Sequence, residues 1–315
     1  MSPTIATAPG KIILFGEHAV VYNRPAIAAP VTQLRASARI EDTRERGVRL
    51  CAPDLNREYW LANARDDNPF ARAVLVVAEN AGLEELPDLK ITVSSSIPIA
   101  SGLGSGAAMA AAVIRALALH LRLDNLATDE AVADLTYQVE KLLHGTPSGI
   151  DNTVVAYEKP VCFIRQRPKN QIETLMVARP CQLLVGDTGL YSITKDVVGD
   201  VRRQWLSKPG RFERIFDNCG QVAEAARQSI ERGEIDRLGK LMTENQHYLE
   251  EMTVSSPELE RLIEAAVSAG ALGAKLSGAG RGGNMIALVR EDNEEPVRLA
   301  ILRAGARAVF KSILT

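Results

Sequence analysis

The stretch from Ser101 to Gly106, Ser-Gly-Leu-Gly-Ser-Gly, constrains this chain most, because it joins two segments of different period. Before it, Leu89, Ile91 and Val93 alternate with Lys90, Thr92 and Ser94, the period of a strand with one wet face. After it, apolar residues cover nearly every side of a helical stretch from Ala107 to Leu119, which predicts a buried helix. A strand, a glycine-rich turn and a helix N-terminus in that order present free backbone amides to an anion, and glycine lets the backbone come close to it. The loop has neither the Gly-Lys-Ser/Thr of a Walker A motif nor GxGxxG spacing. A flexible turn before a core helix is the plainer reading of the same residues.

Around this centre the pattern predicts an α+β chain rather than a doubly wound one, since strands and helices do not alternate strictly. Ala36, Ala38 and Ile40 alternate with polar neighbours, and Arg46-Gly47 reads as the turn of a hairpin into Val48–Ala52. Asn68-Pro69 starts a helix that Gly82 ends, and Asp129 to Leu143 forms another, stopped by His144-Gly145-Thr146-Pro147. Residues 157–180, with three prolines and a charged turn from Arg165 to Lys169, read as edge strands leading to a boundary. Residues 1–180 and 181–315 are therefore expected to be two domains. In the second, a strand at 182–186 precedes helices near 195–205, 211–231, 234–251 and 257–269, and strands at 274–277, 284–289 and 308–313 flank a last helix.

Charge narrows the partners. Lys plus Arg number 37 and Asp plus Glu 39, and a net charge of −2 gives no field to hold a nucleic acid or an anionic membrane. With 46% hydrophobic and 24% charged residues, the 315-residue chain reads as globular. Its four cysteines show no CxxC spacing, which fits a reducing cytoplasm, and no segment reads as a membrane span.

Three further segments carry candidate chemistry. Lys275 to Asn284 is a second glycine-rich stretch between strands, otherwise a tight connection in the core. Ala8 to His18 places Lys11 and the Glu17-His18 pair at the two ends of a short apolar strand; taken singly, Lys11 and Glu17 read as a solvated pair. Glu140 lies near a helix end, and Asp151 follows in Pro147-Ser148-Gly149-Ile150-Asp151-Asn152, where an Asp is ordinarily a turn residue.

In this order, PGKIILFGEHAVVYNRPA, PIASGLGSGAA and KLSGAGRGG resemble the GHMP kinases over essentially the whole chain. Gly16 to Tyr22, Arg24-Pro25-Ala26 and His144 to Asn152 look most like the mevalonate kinase branch. The resemblance implies an N-terminal domain with a left-handed βαβ crossover and a ferredoxin-like C-terminal domain, with ATP and substrate in the cleft between them. It implies Asp151 as base, with Lys11 beside it and beside the transferring phosphoryl group. Glu17, His18, Thr194 and Ala279 match positions around mevalonate, while Ser95, Ser101, Gly102, Leu103, Gly104, Ser105 and Gly106 match nucleotide-binding positions. Glu140 and Ser105 are the positions implied for Mg2+, and a homodimer is the assembly often found in the family.

Two residues depart from the family pattern. Gly106 replaces a serine that helps to hold magnesium in relatives, which leaves a place for one more water. Arg281 stands where many relatives have glycine, its side chain reaching either phosphate or solvent. The implied reaction is ATP-dependent phosphorylation of the 5-hydroxyl of mevalonate. Phosphomevalonate or another small alcohol is the alternative acceptor, and phosphomevalonate would need extra cations. A ligand sensor of the same family would have lost more of the catalytic set than one serine.

Overall fold

The computed structural model describes residues 2–98, 101–144, 147–166 and 170–315, with Leu143 and His144 as backbone alone. The chain divides into two compact units: residues 1–11, 32–99 and 103–158 form the first, and residues 12–31, 100–102 and 159–315 the second.

Strands β1 (Thr4–Phe15) and β2 (Ala26–Asp42) pair with each other and supply residues to both units. The first unit adds β3 (Val48–Ala52), β4 (Arg57–Trp60), α1 (Pro69–Ala81), β5 (Leu89–Ser95), α2 (Ser105–His120), α3 (Asp129–His144) and α4 (Ile150–Tyr157). The hairpin expected from Ala36–Glu41 and Val48–Ala52 does not form. Both strands exist, but β5 lies between them, antiparallel to β2 with Ala38 opposite Val93 and parallel to β3 with Leu50 opposite Ile91. Alternation fixes which face of a strand is buried, whereas its edge partner depends on where the intervening α1 returns the chain.

The helix signals act as read. Asn68 Oδ1 accepts from the amides of Phe70 and Ala71 at 3.0 and 3.1 Å, and Gly82 ends α1 in the left-handed conformation. Helix α2 packs against α1, α3, α4 and β5, so its alanine-rich surface is buried on almost all sides. Its one guanidinium escapes by reaching the end of α4, where Arg115 donates to the Ala156 carbonyl at 2.6 Å and pairs with Asp129 and Glu158. The expected stop of α3 and the charged turn at 165–169 fall partly on residues 145–146 and 167–169, outside the described residues.

In the second unit β6 (Val161–Ile164) pairs with the first residues of β2 and with β7 (Gln171–Thr174). Of the edge strands expected here only β7 lies at an edge; the buried Val161-Cys162-Phe163 run makes β6 an interior strand. There follow β8 (Cys181–Asp187), α5 (Thr194–Ser207), α6 (Pro209–Arg232), α7 (Ile235–Glu251), α8 (Pro257–Ser268), β9 (Gly273–Ser277), β10 (Asn284–Val289), α9 (Glu294–Arg303) and β11 (Ala308–Leu314). The order β11-β8-β10-β9, antiparallel throughout, is the ferredoxin-like sheet. Leu184, Phe216, Leu276 and Met285 contribute to its core.

All four cysteines are buried free thiols. Among the described residues no helix is long and apolar enough to cross a membrane.

Candidate active site

Strand β1 carries Lys11 into the first unit almost fully buried, and its amide donates to the Leu103 carbonyl at 2.8 Å. The Lys11 ammonium lies 3.1 Å from Asp151 Oδ1. Asp151 is not in a loop as expected. Gly149, at φ 93°, caps α4, so the carboxylate sits in the first turn of a helix, where the macrodipole favours an anion. Local composition suggested a turn because the stretch begins Pro-Ser-Gly; the helix is completed by the buried Ile150, Val154 and Val155 that follow.

On α3, Glu140 is 4% exposed, and burial together with the charge of Asp151 pushes its carboxyl up to about 7 against the opposing pull of Lys11. Ser105 opens α2 behind Gly104, which is left-handed at φ 72°. The buried Ser105 hydroxyl has no hydrogen-bond partner among the described residues. One buried carboxyl and one unsatisfied hydroxyl suit a hard cation that takes its remaining ligands from water and phosphate oxygens. Gly106 is the second residue of α2 and contributes no oxygen from a side chain.

The second unit holds Glu17, His18, Ser101, Gly102, Thr194 and Ala279, while Ser95 and Leu103 belong to the first. Glu17, 1% exposed, is paired with the ammonium of the fully buried Lys275, which also donates to the Leu276 carbonyl at 2.5 Å. Burial pushes Glu17 up and Lys275 down, each opposed by the other's charge. His18 adopts φ 59°, and burial lowers its pKa to about 4, so the ring is neutral near pH 7. Its Nε2 is 2.9 Å from the Ala279 carbonyl. A carbonyl only accepts, so the proton is on Nε2, and the buried Nδ1 presents a lone pair with no partner among the described residues.

Thr194 is exposed at the start of α5. Ser101 accepts a hydrogen bond on its carbonyl from Asn284 Nδ2, and Gly102 is left-handed. Ser95 is a local turn residue as well as a nucleotide candidate: its hydroxyl accepts from the Ile97 amide at 3.1 Å and its own amide donates to Asp54 at 2.8 Å.

Two features were not read from the sequence. Lys275 begins the KLSGAGRGG motif, and its burial was signalled only by a lysine in an otherwise apolar strand. Arg281, expected to reach either phosphate or solvent, pairs its guanidinium with Asp200 on α5 and donates through Nε to the Thr253 carbonyl at 3.2 Å.

The same two units are found in known proteins. The family model of the GHMP kinases N terminal domain matches residues 68–159, and that of the GHMP kinases C terminal region matches residues 226–307. A mevalonate kinase of Thermococcus sibiricus is 36% identical, over 98% of this chain and 96% of its own length. The crystal structure of L. major mevalonate kinase in complex with R-mevalonate superposes with a TM-score of 0.86 at 31% identity, covering 100% of this chain and 96% of that one. The Methanococcus jannaschii mevalonate kinase structure gives a TM-score of 0.86 at 28% identity, with 100% and 99% covered. With both parts of the fold matched and full-length relatives above 30% identity, the chain belongs to the GHMP kinase family.

Proposed function

We propose that this chain transfers the γ-phosphoryl group of ATP to the 5-hydroxyl of mevalonate. The observation that carries the reading is the Lys11–Asp151 pair, a buried cation 3.1 Å from a carboxylate at a helix N-terminus, in a chain whose full-length relatives are mevalonate kinases. In phosphoryl transfer, positioning and charge stabilisation supply most of the rate, and a base supplies less.

Asp151 accepts the proton of the attacking hydroxyl as the new phosphorus–oxygen bond forms and ADP leaves. Lys11 orients that carboxylate and offsets negative charge on the phosphoryl oxygens. The residues from Ser101 to Gly106 offer backbone amides to the phosphates at the start of α2. Ser105 and Glu140 would hold Mg2+, which supplies charge neutralisation on the phosphates. Glu17, His18, Thr194 and Ala279 are read as the acceptor pocket, and Ser95 as a nucleotide contact. The lone pair on His18 Nδ1 suits a hydroxyl donor better than a carboxylate.

Domains at 1–180 and 181–315 follow sheet membership, since β6 and β7 extend the sheet of β2 and β8 starts the second sheet at Cys181, whereas the compact units place residues 12–31 and 159–180 with the second part. Four buried thiols agree with a cytoplasmic setting. A homodimer rests on the family resemblance, and light scattering reads it directly.

The test is ADP release with Mg-ATP against mevalonate, phosphomevalonate, galactose and homoserine, with phosphorus NMR of the product. Turnover of mevalonate alone, with phosphate on the 5-oxygen, is the expected result. Turnover of another acceptor moves the assignment within the family, and binding without turnover makes the chain a sensor.

A further inference from the structure

Arg281 occupies a backbone conformation that favours glycine, at φ 56°, in the middle of the last glycine-rich loop. An arginine there needs a reason in its side chain. Its amide donates to the Val254 carbonyl at 2.7 Å, its Nε donates to the Thr253 carbonyl at 3.2 Å, and its Nη1 pairs with Asp200 in the second turn of α5. Asp200 accepts from Arg203 as well, so its carboxylate is held from two sides.

The two elements joined in this way both carry residues of the acceptor pocket. Two positions before Arg281, the Ala279 carbonyl receives His18 Nε2 at 2.9 Å. Six positions before Asp200, helix α5 starts at Thr194. The segment leading into α5 is fastened to the same loop: Ser192 Oγ donates to the Gly280 carbonyl at 2.7 Å, and the Gly283 amide to the Leu190 carbonyl at 2.8 Å. Those bonds hold the entry to α5, and the Arg281–Asp200 pair holds the helix one and a half turns further on. Two attachments fix a direction where one would leave a pivot.

We propose that Arg281 is a positioning residue, a strut through Asp200 that fixes α5, and with it Thr194, against the loop that holds His18 and Ala279. It acts on acceptor binding, and not on the nucleotide phosphates. The effect on acceptor binding rests on the kinase reading above; the strut itself does not.

The test uses Arg281→Gly, which suits the backbone angle, together with Asp200→Asn and the double variant. KM for mevalonate is expected to rise about three- to tenfold in each single variant, with no further rise in the double. KM for ATP and kcat stay within about twofold of the parent. Hydrogen exchange without ligands is expected to quicken at least about fivefold at amides 197–201 in both variants and at the Arg281 amide in Asp200→Asn. A raised KM for ATP with an unchanged KM for mevalonate would make Arg281 a phosphate contact and overturn the strut. Additive effects in the double variant, or exchange unchanged in α5, would also overturn it. Should the parent fail to phosphorylate mevalonate, the kinase reading falls, and the exchange measurement alone decides the strut.

Discussion

Gly104 presses its backbone against the stem of Lys11, so that a Cβ at position 104 would lie 2.8 Å from Lys11 Cγ. The loop glycine and the lysine therefore share one space. Gly104→Ala would meet a left-handed φ of 72°, costing about 1 kcal/mol, and would also push Lys11 away from Asp151. Displacement of a catalytic group by about 1 Å costs on the order of 10² in rate, and kcat is expected to fall by about that factor. Gly102→Ala is the control, because it shares the left-handed backbone but its Cβ would meet nothing nearer than 3.7 Å. Equal losses of kcat in the two variants would show that contact with Lys11 is not the cause.

Asp151→Asn keeps the size of the side chain and removes the proton acceptor. Its kcat is expected to fall by about 10² to 10⁴. Because the side chain is one-third exposed in the first turn of α4, the lost charge–dipole interaction costs about 0.3–1 kcal/mol of stability, and the buried Lys11 ammonium, left without its counter-ion, adds to that loss. Lys11→Met should lower kcat more than it raises KM for mevalonate. Steady-state kinetics beside urea unfolding read both variants, and an Asn variant keeping more than half the parent's activity would remove Asp151 from the mechanism.

Glu140 links stability to pH in the metal-free protein. Its pKa is raised from 4.5 to about 7, so between those values the folded chain holds a proton that the unfolded chain has released. Stability from this group is therefore present at acid pH and lost as pH rises through about 7, by up to about 3 kcal/mol. Glu140→Gln keeps the shape without the charge. In thermal melts with EDTA the variant should gain on the parent at pH 8 far more than at pH 4, while activity at low magnesium falls. The same difference in Tm at both pH values would disprove the linkage.

The Glu17–Lys275 pair predicts a rescue. Removing one partner strands a buried charge, so Lys275→Met is expected to cost about 3–5 kcal/mol, and adding Glu17→Gln should restore most of it. The double variant, folded again, should still show a raised KM for mevalonate. Urea midpoints that fall further in the double variant than in the single would refute the pairing account.

What the sequence made legible was what local chemistry decides. Asn68, Pro69 and Gly82 mark α1 within a residue at each end, and the alanine-rich run beyond the loop gives the burial of α2. Partners distant in sequence left no mark in spacing or periodicity, and only the family resemblance set Lys11 beside Asp151. Lys11 and Glu17, which read alone as a solvated pair, are both buried, each with a counter-ion from another part of the chain: Asp151 for Lys11 and Lys275 for Glu17. Edge choice in a sheet is equally non-local, hence the missing hairpin between β2 and β3. Arg281 was visible as an oddity, but its partner on α5 could not be read from spacing, because an ion pair between two elements leaves no period in either.

The place of β8 governs how the second unit can be assembled. It is the first strand of its sheet to be synthesised, yet it is flanked by β10 and β11, with Cys181 opposite Leu314 and Asp187 opposite Asn284. A nascent chain carrying helices α5 to α8 still has both edges of β8 open, a state in which unpaired backbone invites association with other chains. Slow translation across residues 188–283 would prolong that exposure. The yield of folded protein is thus expected to depend on the time taken to reach β10 and β11, independently of the stability of the finished enzyme.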